Sequence, residues 1–274
     1  KGPKDLEPFN LPFIGDTPEA EKDQKFLSKE HQRSSLAESL RMIRTNMSFM
    51  VEQKKEEGQV IMLTSTVSGE GKSFLSINLG FSLAQTEKKT VVVGFDLRAP
   101  KIVDYLDLPK NIGVSNYIVN PDLQIAEMLQ PSEIQENLYY ISSGPIPPNP
   151  GELLLKDRVK ELITELKKQF DYVIIDTAPV GMVVDTMLIA DQADLLLYVV
   201  RYNYLNKNML RVASDKYKSG KLGNMAVIIN GVDFKKERFS YGYGYGYGYG
   251  YGYGYGADLK KKSWLEKISG KSKK

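Results

Sequence analysis

At 274 residues, 42% hydrophobic and 26% charged, the chain has the make-up of a globular protein with a sizeable core, one large domain with tails or two small ones. A net charge of +3 is too small to argue for nucleic acid; the lack of cysteine excludes disulfides and thiolate metal sites, and the single histidine, His31, sits in a polar stretch unsuited to a metal site or triad. No apolar run approaches the roughly 18–20 residues that cross a bilayer, no secretory signal is present, and the chain starts at Lys1, as a fragment or processed form would.

Residues 1–32 are rich in proline, glycine and charge with little periodicity, and read as a linker or arm that docks Phe9, Leu11 and Phe13 on the body. A helix is expected from Ser35, with Glu38 three residues on completing a capping box. Leu36, Leu40, Ile43 and Met47 share its apolar face. Glu38, Arg41 and Arg44 fall on the other faces, and spacing alone makes them a capped, solvated surface.

Residues 60–63 then form a short apolar, β-rich run, followed by Gly69-Glu70-Gly71-Lys72-Ser73 and a helical pattern over 74–84. Strand, glycine loop, Lys-Ser and helix is the arrangement a triphosphate needs. The glycines let backbone N–H groups curl around phosphate oxygens, and the helix N-terminus adds its positive end. Lys72 is placed to reach the outer phosphates and Ser73 to put its hydroxyl on Mg²⁺. The usual pattern has glycine five positions before the Gly-Lys pair, where this chain has Thr66. A plain glycine turn is the bland alternative.

A second apolar strand over 90–95 ends at Asp96-Leu97-Arg98-Ala99-Pro100. A carboxylate at the end of a parallel strand beside a phosphate loop lies where open α/β sheets bind ligands. Arg98 is close enough in sequence to Asp96 to touch phosphate, or to make a structural salt bridge. Residues 112–129 read as short helices broken at Asn120-Pro121, 139–141 as a brief strand and 143–150 as a proline-rich loop. Asn149, Pro150 and Glu152 then fill N-cap, N1 and N3 of a helix that turns Leu154, Leu155, Val159, Leu162, Ile163 and Leu166 inward and ends in Lys167-Lys168. The strand at 172–175 delivers Asp176, about 100 residues after the phosphate loop, as the second acid near Mg²⁺. Strands at 195–200 and 226–229 flank a helix over 206–218, and Asn230 follows the last strand as a candidate for reading the adenine edge. Strands apolar on both faces, alternating with helices, predict a doubly wound, mostly parallel α/β sheet of P-loop NTPase type over residues 33–238, its last strand ending near Asp233.

Residues 239–274 form a flexible tail of another kind. Tyr241, Tyr243, Tyr245, Tyr247, Tyr249, Tyr251, Tyr253 and Tyr255 alternate strictly with glycine, and lysines gather at 260–262 and 271–274. Alternating glycine makes ordering costly, so disorder is expected. The tyrosines read either as an adhesive low-complexity segment or as accessible phosphate acceptors; such a stretch spans roughly 20 Å on average and at most about 50 Å. The lysines read as a solvated tail ahead of an anionic membrane contact.

Taken together these pieces resemble the bacterial tyrosine kinases (BY-kinases) that form the cytoplasmic catalytic domain of capsular and exopolysaccharide co-polymerases. The resemblance covers roughly residues 35–233 and the tyrosine cluster. Residues 64–73 are similar to the family's Walker A, 91–100 to its second acidic box, 173–179 to its Walker B, and GPIPPNPGELL over 144–154 to its loop. Glu38, Arg41 and Arg44 match its E-x-x-R-x-x-R helix, which in the family joins subunits into a ring. The resemblance thus implies an ATP- and Mg²⁺-dependent autokinase that phosphorylates its tail tyrosines in trans and so regulates polysaccharide assembly and export. Lys72, Asp96 and Asp176 would be catalytic, Gly69, Glu70, Gly71, Lys72 and Ser73 would hold the nucleotide, and Ser73, Asp96 and Asp176 the metal. It further implies a membrane-spanning portion of the same polypeptide, a tyrosine phosphatase partner, and a place at the cytoplasmic face of the bacterial inner membrane.

Two departures stand out. The family's second box carries two acids one residue apart, the first proposed to help deprotonate the attacking tyrosine; here that position is Gly94. Related partition and division-site ATPases have an early lysine in the loop, where this chain has Val67. Two rival readings stay open on sequence: a P-loop ATPase switch that releases phosphate to water, and a nucleotide-binding scaffold without transfer.

Overall fold

The apolar runs pair into one eight-stranded sheet in the order β1-β8-β7-β2-β6-β3-β5-β4. The computed structural model describes residues 6–20, 27, 33–51 and 57–234; His31, the tail tyrosines and the C-terminal lysines lie outside them. In chain order the elements are β1 (Phe13–Pro18), α1 (Ser35–Met50), β2 (Gln59–Ser65), α2 (Lys72–Ala84), β3 (Thr90–Gly94), α3 (Ile102–Leu106), α4 (Val114–Val119), α5 (Ile125–Met128), β4 (Gln130–Pro131) and β5 (Leu138–Ile141). There follow α6 (Pro150–Leu154), α7 (Asp157–Gln169), β6 (Tyr172–Asp176), α8 (Asp185–Ile189), β7 (Leu195–Arg201), α9 (Leu210–Lys218) and β8 (Met225–Val232). All pairings are parallel except the short β4–β5 contact.

Side chains alternate across the strands into two cores, one on each face of the sheet. Ile61, Leu63, Val92, Ile174, Leu197 and Ile228 pack under α1 and α2. Val60, Met62, Val91, Val93, Val173, Ile175, Leu196 and Val227 pack on the other face with α4 and α7. Helices on both faces explain why the strands read as continuous apolar runs. Helix α2 is buried almost all round, from Lys72 and Phe74 through Ala84, so its N-terminus cannot drift relative to the strand ends.

The structure departs from the sequence reading in three places. Within the stretch expected to be an arm, β1 adds a parallel edge strand beside β8. Leu6, Leu11 and Ile14 are buried there, whereas Phe13 is exposed. The cap of α1 is Ser34, whose side chain accepts from the Ala37 N–H at 3.2 Å, so Glu38 falls outside capping-box spacing and pairs with Arg41 instead. The single helix expected after Asn149 is two, α6 and α7, with Lys156 extended between them and Leu155 exposed. Helix α6 packs against α8 while α7 lies along β6 and β2, two directions that one straight helix cannot serve.

Candidate active site

The loop between β2 and α2 takes its shape from two glycines in the left-handed region, Gly69 at φ 86° and Gly71 at φ 96°. Gly71 caps α2, which places the free N–H groups of the first helical turn at the loop's mouth. Thr66, standing where a glycine was expected, bonds the Tyr198 hydroxyl at 3.0 Å, and its carbonyl accepts from the Gly181 N–H at 3.1 Å. A Cβ at Gly181 would lie 2.3 Å from the Thr66 oxygen, so the close approach is made by a glycine of the facing loop.

The side chain of Glu70 is fully buried. Its two oxygens accept from the Val67 N–H at 2.9 Å and the Arg201 N–H at 3.3 Å, pinning the loop to the end of β7. Burial pushes its carboxyl above the usual range, against the pull of those amides. On the outside, Arg201 donates to the Gly69 carbonyl at 3.1 Å and lies over the ring of Tyr204, whose hydroxyl donates to the Ser68 carbonyl at 3.3 Å. Asn230, expected to read an adenine edge, lies at the loop: its Nδ2 donates to the Glu70 carbonyl at 2.8 Å and its Oδ1 accepts from Thr17 at 2.9 Å. Thr17, Arg201 and Tyr204 were invisible to the motif reading, though an arginine at the ligand end of a parallel strand was a usable signal for Arg201.

Lys72, Ser73, Asp96 and Asp176 converge on the ends of β2, β3 and β6. Lys72 is 7% exposed and its ammonium donates to Ser65 Oγ at 3.1 Å. Ser73 Oγ donates to Asp176 Oδ2 at 2.6 Å, and Asp176 sits in register with Leu63 on one side and Gly94 on the other. Burial pushes the Asp176 carboxyl up to about 7, with Asp96 adding to the rise and Ser73 and Lys72 opposing it. Asp96 Oδ1 accepts from the N–H groups of Arg98 and Ala99 at 3.2 and 3.0 Å, so Asp96 also fixes the turn that follows it. Arg98 makes a bidentate pair with the buried Asp185, at 2.7 and 3.0 Å, the salt bridge that was one of its two readings.

Gly94 faces Ser143, and together with Asp96, Asp176 and residues 100–103 they line a small cleft. A Cβ at Gly94 would lie 3.2 Å from the Ser143 nitrogen. Among the described residues no three carboxylate or imidazole groups gather as a preformed metal cage. The donor set is instead one hydroxyl and two carboxylates, hard oxygens that suit a Mg²⁺ retaining waters and phosphate oxygens.

On the far face of α1, Arg44 donates to the Ser82 carbonyl, and Arg41 and Arg44 line a polar groove with Gln85, Thr86 and Gln135. Burial, then the neighbouring Arg41, holds the Arg44 guanidinium below its ordinary value. No described helix is long and apolar enough to cross a membrane.

A family model described as an AAA domain matches residues 58–211. The chain is 32% identical over 204 residues to the tyrosine-protein kinase YwqD of Bacillus subtilis, covering 74% of this chain and 84% of that one. It is 31% identical over 205 residues to EpsB of Ralstonia nicotianae, 75% of this chain but 27% of that longer protein. The kinase domain of the Escherichia coli tyrosine kinase ETK superposes with a TM-score of 0.78 at 26% identity, covering 90% of this chain and 99% of that domain.

Proposed function

The chain belongs to the bacterial tyrosine-protein kinase family, and from that premise we propose that it is an autokinase transferring the γ-phosphoryl group of Mg-ATP to the tyrosines of its own tail. The observation that carries this reading is the convergence of Lys72, the Ser73–Asp176 hydrogen bond and Asp96 at the mouth of a two-glycine loop. The backbone amides from Gly69 to Ser73 cradle the phosphates, and Lys72 leaves Ser65 to neutralise the β- and γ-oxygens. Ser73, Asp96 and Asp176 would hold Mg²⁺, which when bound would supply charge neutralisation at the transferring phosphate.

Transfer breaks the bond between the γ-phosphorus and the bridging oxygen, leaving ADP, and forms one to a phenol oxygen, whose proton passes to solvent water. With Gly94 in place of the family's first acid, Asp96 orients the phenol in the cleft that it lines with Ser143. The loose transition state asks mainly for alignment and charge, which limits the penalty of the missing base.

The eight tyrosines from Tyr241 to Tyr255 favour this reading over an ATPase switch or an inert scaffold, neither of which needs them. Transfer runs in trans within a ring of copies. The paired charges of Glu38 and Arg41, and Arg44 held beside a second cation, form the face that meets the next subunit. Each phosphate adds about −1.5 to −2 charges, and several together drive the ring apart. The chain is thereby the cytoplasmic, inner-membrane-associated regulator of polysaccharide export, joined to a membrane-spanning portion and reset by a tyrosine phosphatase.

Intact mass after incubation with Mg-ATP tests the core of this. A ladder of added phosphates, absent from Lys72→Met and lost on deleting residues 241–255, is the expected result. Steady release of inorganic phosphate without added mass would overturn it in favour of the switch.

A further inference from the structure

Strand β1 reaches the phosphate loop through a three-member buried chain. Thr17, fully buried, donates to Asn230 Oδ1 at 2.9 Å, and Asn230 Nδ2 donates to the Glu70 carbonyl at 2.8 Å. The direction is chemically forced. The Glu70 carbonyl can only accept, so the amide nitrogen must face it, which leaves the amide oxygen needing a donor that Thr17 provides.

A bulge aims the asparagine. Between the pairs Asp16↔Ile229 and Pro18↔Val232, β1 advances two residues and β8 three, with Gly231 left-handed at φ 76°. The fit is close, since a Cβ at Gly71 would lie 2.0 Å from Asn230 Nδ2. In a trans peptide the carbonyl and the following N–H point to opposite sides. Holding the Glu70 carbonyl from one side therefore turns the Gly71 N–H to the other.

We propose that Thr17 is a positioning residue for nucleotide binding: by fixing the Asn230 amide it sets the 70–71 peptide with its N–H toward the phosphates. This rests on the reading of residues 69–73 as a triphosphate loop. It makes the edge strand, far from the motif in sequence, a determinant of affinity for Mg-ATP. Without the Thr17 hydroxyl the amide loses the partner that distinguishes its two ends, and the peptide is free to turn.

The test is calorimetric titration of Mg-ATP into the full chain, with melting temperatures alongside. Thr17→Val keeps the β-branched shape and removes the donor; affinity is expected to fall about fivefold, the worth of one hydrogen bond. Thr17→Ser restores the hydroxyl and is expected to bind within about twofold of the parent. Ile14→Val trims the core side of the same strand, lowering the melting temperature without moving affinity. Parental affinity in Thr17→Val, or an equal loss in Ile14→Val, overturns the role of Thr17 and leaves the loop intact as a nucleotide site. A parent chain that does not bind Mg-ATP, no better than Lys72→Met, overturns both.

Discussion

Asp176→Asn turns the burial of one carboxylate into a measurable slope. In the folded chain Asp176 titrates at about 7 against an ordinary value of 3.8, burial being the main cause. An acid raised by folding binds its proton more tightly in the native state, so stability falls as pH rises between those two values. At about 1.4 kcal/mol per pH unit the whole interval amounts to about 4 kcal/mol, of which about 2.5 falls between pH 5 and 8. The variant keeps an acceptor for Ser73 but has nothing to titrate. Glu70, also raised by burial, is common to both proteins and cancels in their difference. Urea midpoints at pH 5, 6, 7 and 8 are the assay. The parent should lose roughly 1 M relative to Asp176→Asn over that range, the urea equivalent of about 2.5 kcal/mol at the slopes usual for such domains. Parallel pH profiles would show that the ionised carboxylate is solvated, and the reasoning from burial would fail.

Two further outcomes follow from the same geometry. Arg98→Ala leaves the Asp185 carboxylate, 2% exposed, without its bidentate partner. With Arg98 itself 44% exposed the loss should be about 1–3 kcal/mol in urea unfolding, and Arg98→Lys should recover less than half, since one ammonium cannot make both bonds. Gly94→Asp restores the family's acid, its Cβ requiring the Ser143 backbone to yield only a few tenths of an ångström. Tail phosphorylation, followed by mass, should accelerate at least about tenfold; an unchanged rate would show that proton removal does not limit transfer.

The two-glycine loop between β2 and α2, and the placement of Asp96 and Asp176 at strand ends beside it, were legible because each is a local pattern: an apolar run that must be a strand, then a residue whose chemistry is unexpected in a core. The apolar stripe of α1 was legible for the same reason. Strand β1 was not, because Phe13-Ile-Gly-Asp-Thr-Pro18 carries a glycine, an acid and a proline, and its pairing with β8 exists only once the chain has folded. The break at Lys156 was hidden by a stripe that fits one helix as well as two. Asn230 was read by its position at a strand end, yet a bulge and a threonine more than two hundred residues away decide where its amide points. Arg98 pairs with Asp185, a partner 87 residues away in sequence.

Strands β1 and β8 run parallel, with Pro12 accepting from Val227 at one end of the seam and Glu19 donating to Val232 at the other. A force drawing the chain backward from Phe13 and forward from Val232 therefore acts along the strands, in shear. The hydrogen bonds of the seam share such a load at once, whereas strands peeled apart sideways would lose them one by one. Thr17 and Asn230 lie inside that seam. A subunit tethered ahead of β1 and tugged by its tail would thus keep its phosphate loop set while under tension.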